Sequence, residues 1–408
     1  MSKKTESYDV IIIGGGAAGL TAGIYCGRAK LKTLILEKSL VGGLATYTNE
    51  IENYPGFPEG ATGLGLMDLF HKQAKKFGVD FKLTDVKSVS FEKDIKIVET
   101  FRTTYLAKVV IAAGGGKPRL TGAKNEELYL YDKGISFCAT CDAAANTGKT
   151  VMVIGSGDAA IEEGMFLTKF ADQVIVSVMH EEGKMDCNEI AKTQALANSK
   201  MEFVWNTVVE SFEGAERLDT VMLKNLKTQE LLPYKVDSCF LFIGYLPNTE
   251  LFNGVLDMNR GGYLLTNEKM ETNVPGVFAV GDIRDKFLKQ VATAVGDGAI
   301  AGYAAERYIA EDEIYESQIL NEGKASVVYL YNAADSICRE ILPIIDTFKS
   351  KHGNRIGVTK IDTYKSDGIA KKLGISTCPC VVCIDQNKVV KVIDNSITLQ
   401  ALEAAISF

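Results

Sequence analysis

Residues 8–19 read Tyr-Asp-Val-Ile-Ile-Ile-Gly-Gly-Gly-Ala-Ala-Gly. An apolar run rich in β-branched side chains, residues 8–13, gives way to glycines and then to an Ala, Gly and Tyr segment of helical character, which is the order strand, turn, helix. In such a unit Gly14 permits the tight turn, Gly16 lets a pyrophosphate approach the backbone, and Gly19 lets helix and strand pack closely. The helix N-terminus offers unpaired N–H groups to the anion. Residues 34–36, Leu-Ile-Leu, read as the next strand, and Glu37 at its end is placed to accept from a ribose hydroxyl. Together these features predict a dinucleotide-binding βαβ unit.

The theme returns further along. Residues 151–154 read as a strand, followed by Gly155-Ser-Gly157-Asp-Ala-Ala160, a helical stretch and a strand at 174–178, with Ala160 in the third small position of the fingerprint. Between the two fingerprints lie Gly42-Gly43 and an irregular loop, Glu52-Asn53-Tyr54-Pro55-Gly56-Phe57-Pro58, of a kind that wraps ligands. Residues 108–113 form a strand ending in Gly114-Gly-Gly116 and Pro118, where the chain leaves its first domain. Residues 236–244 and 276–282, the latter closing on Asp282, read as strands that return it. The expected domains are 1–119 with 248–315, then 120–247, then 324–408 after a linker within 311–324. The last of these alternates strand 326–331, helix 338–351, strand 356–361, helix 367–373, strands 381–384 and 389–393, and helix 399–406. That βαβαββα order is the thioredoxin pattern. The expected fold class is therefore α/β, with two nucleotide-binding Rossmann-like domains and a C-terminal thioredoxin-like domain.

Composition narrows the function. The 408 residues are 46% hydrophobic, enough to bury large cores and to form about two to four domains. The formal charge of −7 comes from well-mixed charges, with no basic block to attract nucleic acid or an anionic membrane. No apolar run approaches the roughly 18 residues of a membrane span, and residues 10–13 run into glycines rather than a signal-peptide cleavage site. The expected location is the cytoplasm. Nine cysteines are too few for a disulfide scaffold, and their odd number suits reactive or buried thiols in a reducing compartment. The histidines are few and scattered, and Cys378-Pro-Cys380 and Cys380-x-x-Cys383 have no second ligand pair at a finger-like distance, so no metal site is expected.

Residues 134–142 read Gly-Ile-Ser-Phe-Cys-Ala-Thr-Cys-Asp. Two intervening residues let the sulfurs of Cys138 and Cys141 meet with little strain, and local helix geometry favours a thiolate near neutrality. Asp142 can exchange a proton with the departing thiolate. A dithiol between two nucleotide fingerprints predicts a redox relay rather than half a zinc site.

On these residues, positions 1 to about 315 resemble the low-molecular-weight thioredoxin reductases of bacterial type, which are FAD-dependent disulfide oxidoreductases. The resemblance rests on the fingerprints at Gly14 and Gly155, the Gly42-Gly43 and Glu52-Asn53-Tyr-Pro-Gly elements, Cys138-Ala-Thr-Cys141-Asp142, Gly281-Asp282 and Gln290-Val291-Ala292. It implies the FAD/NAD-linked disulfide reductase fold. FAD would be held by Gly14, Gly16, Gly19, Glu37, Gly42 and Gly43, with Asp282 and the Gln290-Val291-Ala292 segment on the ribityl chain and flavin ring and Asn53 near the isoalloxazine. Gly155 and Gly157 would belong to the pyridine nucleotide site. The resemblance also implies that Cys141 faces the flavin, Cys138 attacks the substrate disulfide and Asp142 is the acid-base residue. A rotating second nucleotide domain and a homodimer belong to the same implication, as does a thioredoxin-like partner, separate or the chain's own C-terminal domain.

The sequence departs from this family in three places. Where arginines usually bind the 2′-phosphate of NADPH, residues 177–185 read Ser-Val-Met-His-Glu-Glu-Gly-Lys-Met, with Glu181 and Glu182 repelling a phosphate dianion. NADPH is disfavoured; NADH and reduced ferredoxin acting beside a vestigial nucleotide site both stay open. After the dithiol, Ala143-Ala-Ala145-Asn146 replaces a glycine and aromatics that help dock thioredoxin. The C-terminal domain resembles thioredoxin but has Asp335-Ser-Ile-Cys338 in place of Cys-Gly-Pro-Cys, while Pro379 matches the family's cis-proline. Cys378 would then face Cys338, and a Cys338–Cys378 disulfide is expected as a secondary redox pair. A rival reading from another class is a flavoprotein sensor or binding module without turnover.

Overall fold

The computed structural model describes residues 3–47, 51, 53–92, 94–130, 133–320, 324–364 and 366–406, apart from the side chains of Tyr47, Thr140, Cys141 and Asp367. Glu52, the side chain of Cys141 and residues 321–323 of the expected linker thus lie outside the described residues. The chain forms two compact units, Met1–Gly302 and Tyr303–Phe408.

In the first unit the opening apolar run becomes the strand Lys4–Ile13, followed by the helix Ala17–Arg28 and the strand Thr33–Glu37. Val10, Ile11 and Ile12 are fully buried, as expected of a parallel sheet covered on both faces. The sheet order is Asp80–Leu83, Thr33–Glu37, Lys4–Ile13, Thr103–Ala112, Lys96–Thr100, Val86–Ser90, with Val277–Ala279 pairing Thr103–Ala112. Ile12 lies opposite Ile35 on one side and Ile111 on the other.

A second parallel sheet runs Met201–Trp205, Gln173–Val178, Thr150–Ile154, Ser238–Leu241, Ile135–Ser136. Its second fingerprint opens the helix Asp158–Leu167. Here one expectation is corrected: residues 236–244 do not return the chain to the first sheet. Ser238–Leu241 lies between Thr150–Ile154 and Ile135–Ser136, because Cys239, Phe240 and Leu241 are buried and complete the second core. The return comes after Tyr245–Pro247, which pairs antiparallel with Gly116–Pro118.

The helix Val291–Ile314 crosses Ala17–Arg28 at backbone contact. A Cβ added at Gly298 would stand 2.3 Å from the Ala18 carbonyl oxygen, and one at Gly302 would stand 2.5 Å from Tyr25 Cβ. Residues four apart share a helix face, so this face of small residues lets the helix lie directly on the one that follows the first fingerprint.

The second unit holds the sheet Gly357–Asp362, Ser326–Tyr331, Cys380–Asp385, Lys388–Ile393. The first pair is parallel and the other two pairs are antiparallel, with helices Ser336–His352, Asp367–Lys372 and Leu399–Ala405. This is the thioredoxin-like arrangement. Its start differs from the expected linker: Val291–Ile314 runs on as a wider turn over Tyr315–Ile319. Ile319 is buried with Val328 and Leu330, and Ile314 and Tyr315 pack against that cluster, so apolar spacing overrides the charged composition of this stretch.

Gly298→Ala should cost about 1–3 kcal/mol by overpacking the helix crossing and lower the midpoint of heat unfolding. Gly296→Ala, with nothing within 4 Å of the added carbon, should leave it unchanged or raise it. An equal response from both variants would show that the crossing is not the constraint.

Candidate functional site

The first fingerprint turns as its glycines require. Gly14 has φ +111°, and a Cβ there would meet the Ala113 carbonyl oxygen at 2.3 Å. A Cβ at Gly19 would meet the Gly14 carbonyl oxygen at 2.0 Å, so helix and turn are in backbone contact. Gly42 N–H donates to Gly15 O at 2.7 Å, and Gly42 bridges Gly16. Glu37 is buried; its carboxylate accepts from Gly15 N–H at 2.8 Å and Ser39 N–H at 2.9 Å. It therefore braces the turn, whatever it does for a ribose.

Asp282 is brought to the same place by contact of the Gly281 turn with the fingerprint helix, where a Cβ at Gly281 would lie 3.0 Å from Ala18 Cβ. Asp297, buried, holds that turn: it accepts from Gly281 N–H at 3.0 Å, Arg284 Nη1 at 3.2 Å and Lys286 Nζ at 3.0 Å. Asp282 Oδ1 is buried with no hydrogen-bond partner among the described residues; Lys286 Nζ stands 3.8 Å away, too far to donate. Burial raises the Asp282 carboxyl, opposed by Lys286 and Lys289. Asn53 Nδ2 donates to Gln290 Oε1 at 3.3 Å, so two residues 237 apart in the chain are joined, and Val291 and Ala292 open the helix beyond.

A second carboxylate near this space escaped sequence reasoning. Glu163, on Asp158–Leu167, has a buried Oε2 without a hydrogen-bond partner among the described residues, and burial raises its carboxyl, helped by Glu162. The Tyr245 hydroxyl is raised by burial first and then by the charges of Glu163 and Asp282. Only the adjacent acids Glu162-Glu163 on an otherwise apolar helix hinted at this.

The dithiol is built on the second sheet. Cys138, half-buried, is held in a disulfide ahead of the short helix Ala139–Asp142. Ala139 and Ala143 are buried against Ala160 and Ile161, which seats the segment on the helix after the second fingerprint. Ser136 ties the centre together: its hydroxyl donates to Asp142 Oδ2 at 2.5 Å and accepts from Cys138 N–H at 3.1 Å. Asn146, expected among altered docking residues, is buried; its Nδ2 donates to the Asp142 carbonyl at 2.8 Å and its Oδ1 accepts from Ser238 Oγ at 2.8 Å. It is a brace, not a docking side chain. Ala144 and Ala145 are exposed.

The second fingerprint keeps its turn, with Gly155 at φ +131° and open space beside Gly157. The segment after the strand Gln173–Val178 folds onto it. Asp186 N–H donates to the Ser156 carbonyl at 3.0 Å, and the Asp186 carboxylate meets Ser156 Oγ at 3.0 Å and His180 Nε2 at 2.8 Å. These bonds, His180 first, hold its carboxyl below the usual range. Asn188 donates to Asp158 Oδ1 through both N–H and Nδ2, at 2.7 and 2.8 Å. Glu181 pairs with Lys227 at 2.8 Å. Asp186 is thus a third acid, beside Glu181 and Glu182, in the stretch that lacks arginines.

Residues 8–298 match the family described as pyridine nucleotide-disulphide oxidoreductase, and residues 307–407 match thioredoxin. The thioredoxin reductase of Peptoclostridium litorale is 43% identical over 310 residues, spanning 74% of this chain and 98% of the relative. That of Bacillus subtilis (strain 168) is 41% identical over 305 residues, spanning 74% and 95%. The chain belongs to the thioredoxin reductases of the pyridine nucleotide-disulphide oxidoreductase family. The crystal structure of Lactococcus lactis thioredoxin reductase (FR conformation) superposes with a TM-score of 0.67 at 35% identity, over 74% of this chain and 99% of that one. The structure from T. acidophilum gives 0.64 at 30% identity, over 74% and 98%.

As a thioredoxin reductase the protein is an FAD-dependent disulfide oxidoreductase with a fused thioredoxin-like domain. The residues present fit the flavin: Gly14 and Gly19 have no room for side chains while Gly16 has space beside it, and the buried Asp282 Oδ1 has no hydrogen-bond partner among the described residues. No group of three or more metal-ligating side chains occurs among the described residues. No helix among them is long and apolar enough to cross a membrane.

Asp282→Ala should weaken FAD retention roughly 10- to 150-fold, the loss of one hydrogen bond to a charged acceptor. Flavin absorbance after gel filtration against free FAD checks it; unchanged retention would remove Asp282 from the flavin site.

Proposed function

We propose that the first sheet, with residues 1–119 and 248–315, holds FAD, and that residues 120–247 carry the Cys138–Cys141 disulfide as the relay to a thioredoxin-like partner. Gly14, Gly16 and Gly19, with Gly42 and Gly43, admit the pyrophosphate; Glu37 faces the ribose; Asp282, Asn53, Gln290, Val291 and Ala292 face the ribityl chain and ring. Bound FAD supplies a two-electron carrier between donor and disulfide. The observation that carries the relay is the Ser136 hydroxyl, which joins Asp142 to the backbone of disulfide-bonded Cys138.

In this reading the reduced Cys138 thiolate attacks the partner disulfide, forming a mixed disulfide and expelling one partner thiolate. Cys141 then attacks Cys138, releasing the second partner thiolate and restoring the internal disulfide. Asp142, held by Ser136, carries the proton between the thiol being deprotonated and the thiolate being released.

The donor in this reading is not NADPH. Glu181, Glu182 and Asp186 present negative charge where a 2′-phosphate needs arginine. The preserved turn at Gly155 and the open space at Gly157 favour NADH. A second reading, reduced ferredoxin, is favoured by Asp186, which occupies the Ser156 hydroxyl and carbonyl at the fingerprint itself.

Oxidised protein mixed anaerobically with each donor should show flavin bleaching by NADH or by reduced ferredoxin, and less than one tenth of that rate with NADPH. Equal bleaching by NADPH would refute the charge argument. The combined Glu181→Arg, Glu182→Arg, Asp186→Arg variant should gain roughly tenfold or more in NADPH affinity. Cys138→Ser should retain bleaching and lose disulfide turnover; undiminished turnover would end the relay.

A further inference from the structure

In the thioredoxin-like unit the helix Ser336–His352 is capped by Asp335, whose carboxylate accepts from Ile337 N–H at 2.9 Å. Asp335 stands where the resemblance puts the attacking cysteine, so the nucleophile of an ordinary thioredoxin is missing. Cys338, the third residue of the helix, is wholly buried, and its sulfur accepts from Asn332 N–H at 3.3 Å. Tyr329, buried beneath, donates from its hydroxyl to the Cys338 carbonyl at 2.8 Å.

Across from this helix start, Cys378 precedes the cis peptide at Pro379. Both cysteines are free thiols here, Cys378 exposed and Cys338 buried, and their sulfurs bond to the same end of the strand Ser326–Tyr331, Cys338 to Asn332 N–H just beyond it and Cys378 to the Leu330 carbonyl. The Cys378 sulfur accepts from Thr363 Oγ1 at 3.6 Å and donates to the Leu330 carbonyl at 3.6 Å. It is therefore fixed by the two neighbouring strand ends rather than by its own loop. Burial raises the Cys378 thiol. The remaining tail cysteines are placed differently: Cys380 and Cys383 are buried in the strand Cys380–Asp385, and burial pushes the Cys380 thiol up to about 11. Ile337, beside Cys338, is 58% exposed and Tyr364, beside Thr363, is 83% exposed, which gives the thiol pair an apolar rim suited to a polypeptide.

We propose that Cys338 and Cys378 form a second two-electron dithiol–disulfide centre, drawn from a helix start and the loop facing it, that reduces protein disulfides. The exposed Cys378 sulfur is the exchanging one and Cys338 is the resolving one. In the reduced pair the Cys378 thiolate attacks one sulfur of a protein disulfide, forming a mixed disulfide and releasing one substrate thiolate, which takes up the proton that Cys378 lost. The Cys338 thiolate then attacks Cys378, forming the Cys338–Cys378 bond and releasing the second substrate thiolate, which takes up the proton from Cys338. Two protein thiols become one disulfide, and one substrate disulfide becomes two thiols. Regeneration needs a dithiol, which the Cys138–Cys141 centre supplies; to that extent the turnover rests on the relay proposed above.

The full-length protein is equilibrated with oxidised dithiothreitol, alkylated and mapped by mass spectrometry. The expected result is one cross-linked peptide pair joining Cys338 to Cys378, with Cys380 and Cys383 still alkylated. Four alkylated tail cysteines, or a bond from Cys378 to Cys380, would overturn the proposal. Because Cys338 is buried and its variants risk misfolding, this mapping uses the unaltered chain. With oxidised insulin as the protein disulfide, Cys338→Ser should accumulate an adduct on Cys378 that Cys378→Ser lacks; an adduct on any other tail cysteine would overturn the assignment of the exchanging sulfur. Mapping with dithiothreitol does not involve the flavin, and flavin bleaching does not involve the tail, so failure of this centre and failure of the relay give separate signatures.

Discussion

The exclusion of a side chain at Gly19, where a β-carbon would stand 2.0 Å from the Gly14 carbonyl oxygen, sets the position of much that follows. It brings the helix Ala17–Arg28 down onto the first strand, so that Ala18 is reached from the other side by Gly281 and Gly298. Those contacts in turn bring Asp282, from the far end of the unit, to the mouth of the glycine turn. Asp297 then fixes the approach by accepting from Gly281, Arg284 and Lys286. Each step is a backbone close approach, and a close approach tolerates no intermediate geometry: a methyl group at one glycine displaces the carboxylate at the other end of the chain of contacts.

The two fingerprints differ in what they leave unsatisfied. Around the first, Asp282 Oδ1 is buried without a hydrogen-bond partner among the described residues, as is Glu163 Oε2 on the helix that follows the second, and leaving such groups unpaired costs about 1–3 kcal/mol each. Around the second, three other carboxylates are met by the protein's own donors: Asp186 by Ser156 and His180, Asp158 by Asn188, and Glu181 by Lys227. The second turn keeps the backbone shape of its fingerprint, while the acids beside it are paired within the protein.

Much of this was legible in the sequence because the signals are local. Residues 8–19 fix strand, turn and helix through steric rules that need no tertiary knowledge, and the tail's alternating runs give the βαβαββα order for the same reason. The dithiol is a local spacing as well. What the sequence concealed depends on how the chain turns locally and on long-range partners. Ser136 is an ordinary serine until folding places Asp142 beside it, and Asn146 passes for a surface residue until Ser238 meets it from 92 positions away. Apolarity marks the strand Ser238–Leu241 as buried without saying that the second core is the one it fills. Within the expected linker 311–324, the apolar residues that join the core, Ile314, Tyr315 and Ile319, are outnumbered by polar and charged ones.

The same separation between local and long-range signals explains the thioredoxin-like unit. Judged by motif, Asp335 is a lost catalytic position; judged by geometry, it is a helix cap, since a carboxylate accepting from Ile337 N–H does at that site what the peptide groups require. Its charge also opposes ionisation of the sulfur facing it, and Asp335 contributes to the raised Cys378 thiol after burial and Cys338. A thiol so placed rests protonated near neutrality and reacts slowly by itself. Burial is the first cause of the raised thiol and Asp335 the last, and the exposed Ile337 and Tyr364 beside the pair are where a docking polypeptide would exclude water. In the proposed centre the acid at the attacking cysteine's position caps the helix and adds the least share, after burial and Cys338, to keeping the Cys378 thiol protonated.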